Sequence, residues 1–181
     1  MTEYKIIDNF LEKKDLENLQ TIIMGDEFEW TYNKILNYAQ DDEYNKDHEY
    51  DFYLAHLVFK QDHFHPHTRT SVHEEARRSR WLPAFVFFAE KLGINSLIRI
   101  KCNLYPWTND VKEHAVHVDY NFPHNGALFS LNTCDGYTRL EDGTKIESVE
   151  NRMLLFDGGS EHCSTTTSNE KVRFNINFNF F

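Results

Sequence analysis

Cysteine is scarce in this chain: three in 181 residues, Cys102, Cys134 and Cys163, an odd number with no CxxC spacing. That excludes a disulfide framework and a zinc ribbon and points to a reducing compartment. Long apolar runs are missing too. The longest, WLPAFVFFA at 81–89, is too short to span a bilayer, and the opening MTEYKIIDNFLEKK lacks the basic-then-apolar order of a signal peptide. The expectation is a soluble, cytoplasmic protein with no membrane partner. Basic residues are outnumbered, 19 Lys and Arg against 29 Asp and Glu, for a net charge of −10. Runs such as DDEYNKDHEYD at 41–51 would repel a phosphate backbone, which disfavours nucleic acid as a partner. The local exception, Arg69, Arg77, Arg78 and Arg80, reads as a solvated face. No GxSxG, GxxxxGK or GxGxxG motif occurs, and HEEAR at His73 lacks the second histidine of an HExxH helix.

What the chain does have is aromatic bulk, fifteen Phe and nine Tyr, in a length suited to one core. We read residues 1–181 as a single domain, with 1–95 a support and substrate-rim region and 96–181 the half that carries the site. FLEKKDLENLQTIIM places Leu11, Leu16, Leu19, Ile22 and Ile23 at helical spacing behind an Asp or Asn cap. EWTYNKIL and DFYLAHLVFK read as strands, the second apolar on both faces. WLPAFVFFAEKLGIN reads as a helix closed by Gly93. From Ser96 onward about eight short strands follow: LIRIKCNLY, EHAVHVDYN, ALFSLNT, YTRLE, TKIE, RMLLFD, SEHCSTTT and VRFNINFNFF. Asp135-Gly136, Asp142-Gly143 and Asp157-Gly158-Gly159 between them are hairpin signals. The fold class expected is mostly β with flanking helices, a sandwich or jelly roll.

The chemistry concentrates in EHAVHVDYNFPHN, residues 113–125. On an extended strand positions i and i+2 share a face, so His117 and Asp119 point the same way while His114 points to the other. A pair needs a third ligand, and GSEHCSTTT supplies His162. Two imidazoles and one carboxylate on one face of an octahedral ion leave positions open, as in non-heme Fe(II) oxygenases. An H-x-D triplet also arises by chance, so the later strand matters. In VRFNINFNF, Arg173, Asn175, Asn177 and Asn179 alternate with Phe174, Ile176, Phe178 and Phe180. An inward guanidinium without a carboxylate partner asks for an anionic ligand. The bland alternative is an edge-strand arginine facing water.

Together LYP (Tyr105, Pro106), HVD (His117, Asp119), NRMLLFDGGSEHCS (His162) and VRFNINF (Arg173) make the last eighty or so residues resemble the Fe(II)- and 2-oxoglutarate-dependent dioxygenases, in particular single-domain prolyl-hydroxylase-like members. The resemblance implies a double-stranded β-helix (jelly roll). It also implies iron on His117, Asp119 and His162, with Arg173 gripping the distal carboxylate of 2-oxoglutarate and Tyr105 hydrogen-bonding that cosubstrate. The implied reaction consumes O2, releases succinate and CO2 and hydroxylates an unactivated C–H, with ascorbate as a reductant. The family's halogenases vacate the carboxylate position, which Asp119 occupies here. Where prolyl-hydroxylase relatives carry a second tyrosine this chain reads FSLN, 129–132, leaving Ser130 or Thr133 as substitutes. The implied substrate is a peptidyl proline first and a small metabolite second.

Two other classes stay open: a zinc hydrolase on the same three ligands, and a jelly-roll binding module without catalysis. His63, His65 and His67 in HFHPH read as a rim loop, His124 as a surface turn residue, and Cys163 as a packing residue. Trp107 reads equally as a groove or a packing residue.

Overall fold

The computed structural model describes residues 3–33, 52–61 and 77–181. The HFHPH loop and Arg69 lie outside the described residues, as do the last three residues of EWTYNKIL, 34–36, while Thr31–Asn33 form the strand expected there. Eleven strands and two α-helices are described: β1 (Tyr4–Ile7), α1 (Lys13–Ile23), β2 (Thr31–Asn33), β3 (Tyr53–Lys60), β4 (Arg77–Arg78), α2 (Val86–Leu92), β5 (Leu97–Pro106), β6 (Asn125–Ser130), β7 (Tyr137–Leu140), β8 (Lys145–Glu147), β9 (Arg152–Asp157), β10 (His162–Cys163) and β11 (Val172–Phe180). They form an eight-stranded antiparallel sheet in the order β1-β9-β6-β11-β5-β3-β2, with β4 on β3, and a three-stranded sheet β10-β7-β8.

Alternation in the strands decides what each face of the large sheet meets. Ile100 and Cys102 of β5, Phe129 of β6, Met153 of β9 and Ile176 and Phe178 of β11 pack with Leu16, Leu19 and Ile23 of α1 and Phe88 of α2. This is the main core, and it is apolar because two amphipathic helices cover it. On the opposite face Leu128, Leu154 and Phe156 meet Leu140 and Ile146 of the small sheet, a second, smaller core that joins the two layers. The remaining positions of that inner face are polar, and they build the site described below.

The helices depart from expectation at their ends. The α1 N-cap is Glu12, with no side-chain cap bond. Pro83 starts a 3₁₀ turn over Leu82–Phe85 before α2 begins, because a proline supplies no amide donor, and Gly93 closes α2 at φ +64° as expected. The two-sided burial expected for DFYLAHLVFK is interrupted by a register shift between Leu57 and Phe59, leaving Ala55 and Val58 as its buried members.

Only Asp142-Gly143 among the expected hairpin signals closes a hairpin, β7 to β8, with Gly143 at φ +86°. Asp135-Gly136 and Asp157-Gly158-Gly159 instead lead the chain from the large sheet to the small one. EHAVHVDYN is likewise no ladder strand. It touches its neighbours through isolated bridges, Glu113 to Thr165 and His117 to His162.

Phe88 is fully buried and its ring meets Phe10, Phe129 and Phe178 at centroid distances of 5.9, 5.4 and 4.7 Å. Phe88→Ala should lower the unfolding free energy by about 3–5 kcal/mol, read as a fall in the urea midpoint at unchanged slope.

Candidate metal and anion site

β5 and β11 run side by side, and their register places Tyr105 opposite Arg173, Asn103 opposite Asn175, Lys101 opposite Asn177 and Arg99 opposite Asn179. Each pair shares the inner face of the sheet. The alternation in VRFNINFNF is therefore a polar row inside the fold. β11 is a central strand between β5 and β6, and Arg173 is 1% exposed, so the edge-strand reading is excluded.

At one end of the row stands Asp119. Its Oδ1 accepts Arg99 Nη2 at 2.6 Å, and its Oδ2 accepts Asn177 Nδ2 at 3.1 Å and Asn179 Nδ2 at 2.8 Å. Asn177 Oδ1 in turn accepts Arg99 at 3.2 Å. Burial pushes the Asp119 carboxyl up, but the Arg99 guanidinium, with Lys101 and the Asn179 amide, outweighs it and holds the group well below the ordinary 3.8. Asp119 is thus a buried, charged and oriented carboxylate.

His117 and His162 reach the same point by one antiparallel bridge. Each backbone N–H donates to the other's carbonyl at 2.9 Å, which sets the two rings side by side at 4.5 Å. His162 Nδ1 lies 3.0 Å from Ser160 O, and His117 Nδ1 makes a looser contact, 3.4 Å, with Ala115 O. Donation from Nδ1 to a carbonyl makes Nε2 of each ring the lone-pair atom. Burial, then neighbouring His162, pushes His117 down to about 4, so it is neutral at neutral pH. The potential ligand atoms of His117, Asp119 and His162 all lie within 4.8 Å of one another. Two imidazoles with Nε2 turned away from their carbonyl contacts and one ionised carboxylate fit a divalent metal such as Fe(II).

At the other end of the row Arg173 donates to Ser148 Oγ at 2.6 Å, Thr138 Oγ1 at 2.9 Å and Thr165 O at 3.1 Å, with the Tyr105 ring 5.6 Å away. No carboxylate among the described residues pairs with it. Gly136 makes this packing possible, since a Cβ there would stand 2.7 Å from Arg173 Cδ. Burial raises the Tyr105 phenol's pKa, against hydrogen bonds with Ser164 and Asn175 that lower it.

Of the two expected substitutes for the second tyrosine, Thr133 is occupied by the Glu150 amide at 2.9 Å and Ser130 is buried in β6 opposite Asn175. Thr138 and Ser148 hold the arginine instead.

The histidines set aside sort differently. His114 is buried, with Nδ1 2.9 Å from Ser164 Oγ and its ring 5.1 Å from Tyr105. His124 is not a surface residue: 7% exposed, it places Nε2 3.1 Å from Asn179 Nδ2, behind the amide that holds Asp119. A Cβ on Gly158 would lie 2.3 Å from that Nε2, so the turn glycine makes room for the ring. Cys163 is buried. Trp107 is half-exposed, donating to Ser168 O at 2.8 Å. Arg80 is exposed and paired with Glu29 at 2.8 Å.

Arg99 and Lys101 also line the site, opposite Asn179 and Asn177, and were not among the residues expected to do so. Their signal was present in LIRIKCNLY, where Arg99, Lys101, Asn103 and Tyr105 alternate with Ile98, Ile100, Cys102 and Leu104. Lys101 is partly buried, with Nζ 5.4 Å from the Tyr53 ring centre. Burial, then the neighbouring Arg99 charge, pushes it down to about 8.

Solved structures carry the same arrangement of sheets. An oxidoreductase of the 2OG-Fe(II) oxygenase family from Burkholderia pseudomallei aligns at TM-score 0.68 and 9% identity, over 98% of this chain and 84% of its own. A prolyl hydroxylase from Trichoplax adhaerens, in complex with a hypoxia inducible factor peptide fragment, aligns at 0.64 and 14%, over 100% and 84%. The fold is the double-stranded β-helix of the 2OG-Fe(II) oxygenases. A Pseudomonas putida prolyl-4-hydroxylase aligns at 0.62 and 12%, over 99% and 93%. No family model and no curated protein matches the sequence. Among the described residues no helix is long and apolar enough to cross a membrane.

Two outcomes test this geometry. Asn179→Ala should weaken Mn(II) binding about 10–100-fold, measured by calorimetry, as expected when a residue orienting a ligand is lost. In the metal-free protein the His117 imidazole should titrate near pH 4 by NMR, below the ordinary 6.5. As pH falls through that window the unfolded chain binds the proton first, so His117 should erode stability between 6.5 and about 4, and His117→Asn should lessen the erosion.

Proposed function

We propose that this chain is an Fe(II)- and 2-oxoglutarate-dependent dioxygenase that hydroxylates an unactivated C–H bond, with a peptidyl proline as the first substrate class. The observation that carries the reading is the pairing, along one inner row, of a compact two-histidine, one-carboxylate group with a fully buried arginine that has no carboxylate partner among the described residues. A zinc hydrolase or a simple binding module has use for the first of these but not for the second.

In this reading His117 and His162 present Nε2 to the iron, and Asp119 completes the ligand set. Arg173, held by Thr138 and Ser148, offers its remaining donor capacity to the distal carboxylate of 2-oxoglutarate, a contact whose planar fork suits it to a carboxylate. Tyr105, kept protonated by burial, serves as a hydroxyl donor to the same cosubstrate. Iron and 2-oxoglutarate, when bound, supply the oxidative chemistry: O2 is consumed, 2-oxoglutarate yields succinate and CO2, and one oxygen atom enters the substrate C–H bond. A reductant such as ascorbate keeps the iron ferrous. The protein's part is to orient the ligands, exclude water from the row and position the substrate bond. A carboxylate at position 119 favours hydroxylation over halogenation. The prolyl hydroxylases among the structural neighbours support a prolyl substrate, and the one with a bound peptide supports a peptide.

Anaerobic addition of Fe(II) and 2-oxoglutarate should produce a visible metal-to-ligand charge-transfer band. Retention of zinc with no such band would overturn the proposal. Arg173→Ala should weaken 2-oxoglutarate binding roughly 30-fold or more, as for loss of one partner of a buried charge pair, with a much smaller effect on iron. Equal losses would make Arg173 a structural residue.

A further inference from the structure

The inner row carries more positive charge than its chemistry needs. Arg99, Lys101 and Arg173 face inward from β5 and β11, and Asp119 is the carboxylate that faces them. Among the described residues Glu113 is taken elsewhere, by Arg139 at 3.0 Å and Lys145 at 3.8 Å. Under the proposed function the site also receives Fe(II) and a 2-oxoglutarate dianion. Those two cancel in sum, and Asp119 offsets Arg99, to which it is bonded, so among the described residues two positive charges stay in surplus; Arg173 meets the distal carboxylate of the cosubstrate and Lys101 meets none. A buried cation without a counter-charge is expensive.

Arg99 is offset by its contact with Asp119 and by the Tyr120 ring, 5.3 Å from its guanidinium carbon. Lys101 has no ion pair with any described residue. Its Nζ lies over the Tyr53 ring, and that ring stacks on Tyr105 at 5.9 Å. Lys101 thus stands on the inner face between the Asp119 end of the row and the Tyr105–Arg173 end, and it is only partly buried, so an incoming molecule can reach it.

We infer that Lys101 is a specificity-determining residue and that the primary substrate carries a carboxylate which docks on its ammonium. The inference rests on the dioxygenase reading and names the substrate class for the same site. One ammonium answers one negative charge, as a carboxylate presents. A phosphate dianion is instead held by several N–H donors at once. The carboxylate can belong to a free amino acid or to an acidic side chain of a peptide. In both cases an ammonium close to the metal ligands fixes which C–H bond faces the iron.

The test uses wild-type protein loaded anaerobically with Fe(II) and 2-oxoglutarate, with the charge-transfer band as the readout of substrate entry. Two probe pairs separate the sources: L-proline against L-prolinamide, and a proline-containing peptide with a neighbouring Glu against the same peptide with Gln. At least one acid should bind about tenfold or more tightly than its amide. The pair that discriminates identifies the source. Lys101→Met and Lys101→Gln, measured together so that one misfolded variant does not decide the result, should still form the band and should bring the acid-to-amide ratio near one. Lys101→Arg should preserve it.

If acids and amides bind alike, or no acid binds, the inference is overturned while the dioxygenase reading stands. Persistence of the acid preference in Lys101→Met and Lys101→Gln overturns it equally. If both neutral variants are folded but lose the band, Lys101 serves the cosubstrate and the inference falls. A wild-type protein that forms no band removes the dioxygenase reading and this inference with it.

Discussion

The grip on the Asp119 carboxylate is the interaction on which the site depends. A side chain 4% exposed to solvent is charged only because Arg99 meets one oxygen and two asparagine amides meet the other. Remove those donors and a buried carboxyl reverts to the neutral acid, which ligates a metal poorly. The amides come from β11, the guanidinium from β5 and the carboxylate from the segment after His117, so three separate stretches of chain meet on one functional group. The regular part of the sheet thereby fixes a residue that lies outside any ladder.

Two cores let that arrangement exist. Helices α1 and α2 cover one face of the large sheet with hydrocarbon and supply the ordinary driving force for folding. The other face needs only the small cluster around Leu140 and Phe156 to hold the second sheet in place. Because apolar burial is concentrated on the outer side, the inner side can keep a row of amides, cations and hydroxyls whose hydrogen bonds are mostly made within the row.

Much of this was legible from residue order. Strand alternation in VRFNINFNF marks the polar row, and the i, i+2 spacing of His117 and Asp119 sets their common direction, although the segment bearing them is not a ladder strand. What the alternation rule needs is local extension, and a single bridge to His162 supplies it. Less visible were contacts set by tertiary approach. His124 follows a proline in what looks like a turn, yet Gly158 leaves the space that draws its ring inward. Two glycines read as hairpin signals do a different task, admitting Arg173 and His124. Arg99 and Lys101 were readable by the argument used for β11, since LIRIKCNLY alternates just as regularly.

The bridge between His117 and His162 consists of two backbone hydrogen bonds, and on its far side His162 and Cys163 are laddered to Leu140 and Arg139 of β7. Its neighbours in β5 and β11 are paired along most of their length. The two histidines are thus carried by the small sheet while Asp119 is gripped by β5 and β11 of the large one, so an ion held by all three would fasten the two layers together from inside.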